Sequence, residues 1–133
     1  MSEAEQTVNL LIEAFEKTDI EIHKRIWFRD QSLEVYGLYT GNNISGWESL
    51  KQHFERTAEK INDIKLEVLY SQLNFNSELN TAWFSLLANE NYLINGKQRT
   101  ISGIRYTGVM ERIEGEWRIV QFHGSVPLSV ELD

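Results

Sequence analysis

His123 and Ser125 stand two residues apart near the end of an apolar-rich run, Trp117 to Ser125, that closes at Pro127, the chain's single proline. Neutral imidazole exchanges protons near pH 7, so His123 is the first candidate for acid–base work. On an extended strand the two side chains share a face but lie about 7 Å apart, too far for the histidine to activate the serine. No strand neighbour offers another nucleophile, so a structural histidine hydrogen-bonded at a subunit interface is the preferred reading. Asp30 and Glu34 are the remaining acids near a strand; Asp30 suits the closing of a turn, and Glu34 is within reach of a cavity rim. His23 and His53 fall on different helices, and no His or carboxylate pair shows metal-ligand spacing, so neither metal nor cofactor is expected. Cysteine is absent, which excludes disulfides, thiolate metal sites and cysteine nucleophiles.

The 133 residues suit one domain, 1–133, and carry a net charge of -7. That surface repels phosphate backbones and anionic lipid, so no nucleic-acid or membrane partner is expected. The chain shows neither a charged-then-apolar N-terminal signal nor an apolar run of about 18 residues, so a cytoplasmic location is expected.

The elements that must position these residues divide by periodicity. Val8, Leu11, Ile12 and Phe15 form one helical stripe. A second helix is predicted from Asp19 to Phe28, with Ile22, Ile26 and Trp27 inward, and a third with Trp47, Leu50, Phe54 and Ala58 on one side. Ser2-Glu5, Thr18-Glu21 and Ser45-Glu48 read as capping boxes at the three starts. Leu33–Tyr36 reads as a strand before the third helix. Lys65–Asn74, Thr81–Tyr92, Arg99–Arg112 and Trp117–Ser125 read as long strands, with tight turns at Asn95-Gly96 and Glu114-Gly115. Helices first and then a meander predict an α+β domain with the helices on one face of a curved antiparallel sheet.

Strict alternation sorts the last two strands into faces. Tyr106, Gly108, Met110, Val120, Phe122 and Gly124 form an apolar set whose glycines leave space against the helices. Arg105, Thr107, Val109, Glu111, Trp117, Ile119, Gln121, His123 and Ser125 form a mixed, continuous set suited to meeting another subunit. The aromatic residues Trp27, Phe28, Tyr36, Trp47, Trp83, Tyr106 and Phe122 have two readings, the wall of an apolar pocket or an ordinary core. Gly37 and Gly103 suit bends or bulges of a curved sheet.

Several stretches resemble the SnoaL-like branch of the nuclear transport factor 2-like superfamily. They are Leu11-Ile12-Glu13-Ala14-Phe15, Gly41 to Gly46, Thr81-Ala82-Trp83, Arg105-x-Thr107-x-Val109, and the ending Trp117-x5-His123-x-Ser125. Their order is most similar to the association-domain type of calcium/calmodulin-dependent protein kinase II. The resemblance implies a cystatin-like roll, a cone of curved sheet around three helices, with a pocket at the open end and dimerisation through the outer sheet face. In its register Tyr36, Trp83, Ser85, Tyr106 and Phe122 fall to the pocket, with Gly108 and Gly124. Arg105, Thr107, His123 and Ser125 fall to the dimer side, which Trp117 and Gln121 join by alternation.

The resemblance also allows catalytic roles to be checked position by position. A ketosteroid isomerase would need a carboxylate base where Tyr36 stands, a tyrosine where Leu11 stands, and an acid near Thr107 or Gly108, and all three are lacking here. The arginines of the kinase hub's pocket correspond to Ser85, Gly108 and Gly124, which implies a roomier, more apolar pocket. Three functions are therefore expected in turn: binding of a small, mostly apolar molecule in a homodimer or larger ring; an isomerase, cyclase or dehydratase using His123 or a rim carboxylate; and a pure assembly module.

Overall fold

The computed structural model of the chain describes residues 1–38 and 43–128. Gly41, the first residue of one stretch quoted above, lies outside them. Helix α1 (Glu3–Lys17) begins at Ser2, whose hydroxyl accepts the Glu5 N–H at 3.1 Å, so this cap forms where the sequence places it. The other two starts differ from the reading. Thr18 ends α1 in the left-handed conformation, and Asp19 caps α2 (Ile20–Ile26), accepting from the N–H groups of Glu21 and Ile22 at 2.9 and 3.3 Å. A carboxylate is charged and reaches N2 and N3 at once, so it displaces its threonine neighbour. Helix α3 (Trp47–Lys60) starts at Gly46 with no side-chain cap, because Ser45 instead gives its hydroxyl to Glu34.

One six-stranded curved, unclosed sheet takes up the rest. Its strands are β1 (Glu34–Tyr36), β2 (Asn43–Ser45), β3 (Ile61–Phe75), β4 (Thr81–Ile94), β5 (Lys97–Ile113) and β6 (Glu116–Ser125), in the order β2-β1-β6-β5-β4-β3. Only β1 and β6 pair in parallel; the other neighbours are antiparallel. The α+β class and the helix-lined curved sheet read from the sequence therefore hold. The short strand β2 was not foreseen. Both expected turns adopt positive φ at both central residues, Asn95 (52°) and Gly96 (73°), Glu114 (52°) and Gly115 (82°), the geometry that matches the twist of the flanking strands.

The core fills the space between the inner sheet face and the helices, with Leu11, Trp27, Leu33, Leu50, Met110 and Phe122 at its centre. Bulges decide which strand residues reach it. Opposite Val109 and Met110 the β6 partners are Gln121 and Ile119, so Val120 is the extra residue and the alternation changes phase there. Trp117 and Ile119 therefore turn inward, 8% and 0% exposed, which corrects their placement on the outer face. Gly103 (φ 70°) sits in a second irregularity, between the pairs Ala88–Ile104 and Glu90–Ile101, where a bend was expected. Gly108 does not leave a void: a Cβ there would lie 2.5 Å from the Phe84 ring, which occupies the space from the adjacent strand. Among the described residues no helix is long and apolar enough to cross a membrane.

Candidate functional site

Between the helices and the inner sheet face a cavity of about 340 Å³ remains. Helix α1 contributes Ala14 and Phe15, α2 His23, α3 His53, Phe54 and Thr57, and the sheet Ile64, Glu90, Ile101, Ile104 and Tyr106. Gly37, Leu38 and Gly124 close one side, and the exposed Ser125 and Val126 mark the mouth. The walls are mostly hydrocarbon, and the polar groups are few and separated.

Each polar side chain is placed by a local device. His23 and Trp27 are four residues apart and so share a face of α2 and its C-cap. The indole N–H donates to His23 Nδ1 at 2.9 Å, so the neutral ring carries its proton on Nε2. The imidazole stacks on Phe54 at 3.6 Å and 12°, and it is 1% exposed. Burial pushes its pKa down to about 3, against a smaller opposing pull from Asp19, so it is neutral at ordinary pH. The end of α2 is pinned to the sheet by the Phe28 N–H, which donates to the Ile119 carbonyl at 2.9 Å.

Glu90 ends the inward row Ala82, Phe84, Leu86, Ala88 of β4 and is 1% exposed. Tyr106 faces the same space from β5, stacked between Phe15 (5.9 Å) and Phe122 (5.5 Å). Burial, and then the charge of Glu90, raise the Tyr106 pKa, so the phenol stays a neutral hydrogen-bonding group. Half-buried His53 is held below the ordinary histidine range by burial and by the charge of Arg56, against a smaller upward pull from a hydrogen bond with the Leu38 backbone. Among the described residues no three His, Asp or Glu side chains are grouped so as to hold a metal ion.

The residues singled out in the sequence divide between two faces. Tyr106 lines the cavity, and Phe122, fully buried, backs it. Tyr36, Trp83 and Ser85 do not: inward parity on β1 and β4 belongs to Val35, Ala82, Phe84 and Leu86, so these three point outward, Tyr36 and Trp83 each 46% exposed. Cross-strand pairing sets Ser85, Thr107, His123 and Tyr36 in one outer row, and Trp83, Val109 and Gln121 in the next. The Tyr36 and His123 rings meet edge to face at 6.0 Å. Arg105 and Thr107 are exposed on the same outer face, whereas Ser125 reaches the cavity mouth rather than lying only on that face. Asp30 closes a turn, accepting the Ser32 N–H and hydroxyl at 3.0 and 2.7 Å. Glu34 is held by Ser45 and Asn43, and neither acid lines the cavity.

The model of the SnoaL-like domain family matches residues 4–129. The chain belongs to the SnoaL-like family. Solved structures agree on the fold of this SnoaL-like domain. A nuclear transport factor 2-like superfamily protein from Salmonella enterica serovar Typhimurium superposes with a TM-score of 0.83 at 17% identity, over 96% of this chain and 90% of that one. The association domain of calcium/calmodulin-dependent protein kinase II from C. elegans gives 0.69 at 23% identity, over 92% of each chain. A protein with a cystatin-like fold from Caulobacter vibrioides gives 0.76 at 15%, over 94% of this chain and 87% of that one. No curated protein matches the chain. The resemblance read from the sequence thus holds for the SnoaL-like family and for the fold, which the association domain shares.

Proposed function

We propose that this SnoaL-like domain binds a small, mostly apolar molecule in its cavity and does so as a homodimer. The cavity itself carries the reading. Native cores rarely leave voids much larger than a water molecule, yet here about 340 Å³ stays unfilled beside Phe15, Phe54 and Tyr106. That volume lies at the lower end of the range for ligand pockets. Polar groups at Glu90, Tyr106 and His23 line the cavity and can orient an occupant, in place of Tyr36 and Ser85. The catalytic alternative through His123 loses its geometry, because that side chain lies on the outer face beside Tyr36 and away from the cavity.

Filling the cavity tests the reading. Ile101 is half-buried and lines it, so Ile101→Trp is expected to lower the affinity for the neutral fluorescent probe N-phenyl-naphthylamine by about ten-fold or more, a loss of about 1.4 kcal/mol. Thermal unfolding checks that the variant remains folded. Equal probe binding by the folded variant and wild type would remove the cavity as the binding place.

The dimer rests on the outer rows. Two large aromatics each 46% exposed, Tyr36 and Trp83, stand in these rows with Val109, Thr107, Gln121 and His123 between them, a mixed surface of the kind found at interfaces. A chain of the same fold is named an association domain, which supports assembly. In sedimentation velocity the 15.6 kDa chain is expected to run as a dimer, and Trp83→Glu as a folded monomer. A wild-type monomer at micromolar concentration would contradict this part of the reading.

A further inference from the structure

The charge of the cavity narrows what can occupy it, granted the binding reading above. Glu90 is the acidic residue among those lining it, and none of them is lysine or arginine. The two lining histidines supply no positive charge near pH 7, since burial and, for His53, the neighbouring Arg56 keep both rings neutral. Arg56 itself is exposed on α3 and does not line the cavity. Glu90 is 1% exposed and lines the same cavity as the Tyr106 phenol. Phe15, Phe54 and Ile104 line the same cavity and offer an apolar wall for a ligand's body. The net charge of -7 adds a field that draws cations and repels anions.

We propose that the cavity selects an organic cation, an ammonium group carried on an aromatic or aliphatic body, with the ammonium against Glu90 and the body against Phe15, Phe54 and Ile104. A carboxylate offers about four acceptor positions, so Glu90 keeps its contacts within the protein and still accepts from the ligand. An ammonium brings up to three donors and favours the ionised acid, offsetting its burial; a carboxylate ligand would set a second acid in the same apolar space, where one of the two must stay protonated.

Three probes of one shape test this by calorimetry at pH 7: naphthylmethylamine, naphthylmethanol and naphthoate. The amine is expected to bind at least about ten-fold more tightly than the alcohol, a charged hydrogen bond replacing a neutral one, with naphthoate weakest. Glu90→Gln keeps the side-chain shape and should abolish the amine's advantage, so that amine and alcohol bind the variant within about three-fold of each other, a difference of less than 1 kcal/mol. Alcohol or naphthoate binding as tightly as the amine would overturn the cation preference and leave the cavity reading standing. An amine preference that survives in Glu90→Gln would overturn the role given to Glu90. Failure of all three probes to bind would overturn the cavity reading together with this one. The wild-type ranking decides the preference even if the variant does not fold.

Discussion

Gly37→Ala is expected to cost roughly 3–4 kcal/mol, the upper range for a single substitution. At this chain length that lowers the melting temperature by roughly 10–20 °C. Gly37 directly follows the Tyr36–His123 pair of β1 and β6, and Gly124 follows His123. The two glycines bring the strand ends so close that a Cβ on Gly37 would lie 1.7 Å from the Gly124 carbonyl oxygen and 2.7 Å from its carbon. Both atoms are backbone, so no rotamer change relieves the overlap, and β1 must move away from β6. The φ of +86° adds the strain of a left-handed conformation on a residue with a side chain. Gly96→Ala is the control: its φ is +73°, yet nothing lies within 4 Å of the added Cβ. That change should cost only about 1 kcal/mol, the conformational part alone. If circular dichroism finds the two variants melting within a few degrees of each other, the close approach at the cavity wall is wrong. Gly37 also lines the cavity, so this contact shapes the site as well as the sheet.

Acid should weaken the fold through His23. Its folded pKa lies at about 3 against an ordinary 6.5 because burial penalises the charged ring. The fold's preference for neutral imidazole is fully present above pH 6.5. As the pH falls, the unfolded chain takes up a proton that the folded chain refuses, and stability drops until about pH 3. At about 1.4 kcal/mol per unit, the full loss is roughly 4–5 kcal/mol. His23→Gln removes the titration and keeps an acceptor for the Trp27 indole N–H. Between pH 7 and 4.5 wild type should lose about 2–3 kcal/mol more than this variant, read from urea unfolding at each pH. His53 and the carboxylates titrate in both proteins and cancel in the difference. Equal acid sensitivity would mean that the imidazole is open to water.

Much of this fold was legible because long periodic segments state their own structure. The α1 stripe, the aromatic and branched runs of β3 to β6, and the two positive-φ turns all follow from local pattern and turn chemistry. The faces of the sheet were harder. Trp117 and Ile119 change sides because one extra residue, Val120, shifts the alternation, and nothing in the residue types near Val120 marks the bulge. Tyr36, Trp83 and Ser85 were drawn to the cavity by resemblance to the family, although the small and apolar residues Ala82, Phe84, Leu86 and Ala88 carry the inward parity of β4. Reading that row onward leads to Glu90, a carboxylate where another apolar residue is expected, and this was the available signal for the polar end of the site. His23 and Trp27 are likewise four apart on one helical face, but their hydrogen bond depends on how α2 docks against β6. Gly108 shows a further limit. A glycine in a strand signals room for something, but the occupant, the ring of Phe84, comes from a neighbouring strand.

The two aromatic clusters give the account a direct test. Phe15, Phe54 and Tyr106 line the cavity, and Tyr36 and Trp83 stand on the outer face of the same sheet. A crystal structure of the protein grown with naphthylmethanol locates an apolar probe between them. The account predicts the ring system inside the cavity, against Phe15 and Tyr106 with its hydroxyl toward Glu90, and the outer rows covered by a second copy of the chain. A probe seated instead on Tyr36 and Trp83, or a cavity closed by its own side chains, would contradict it.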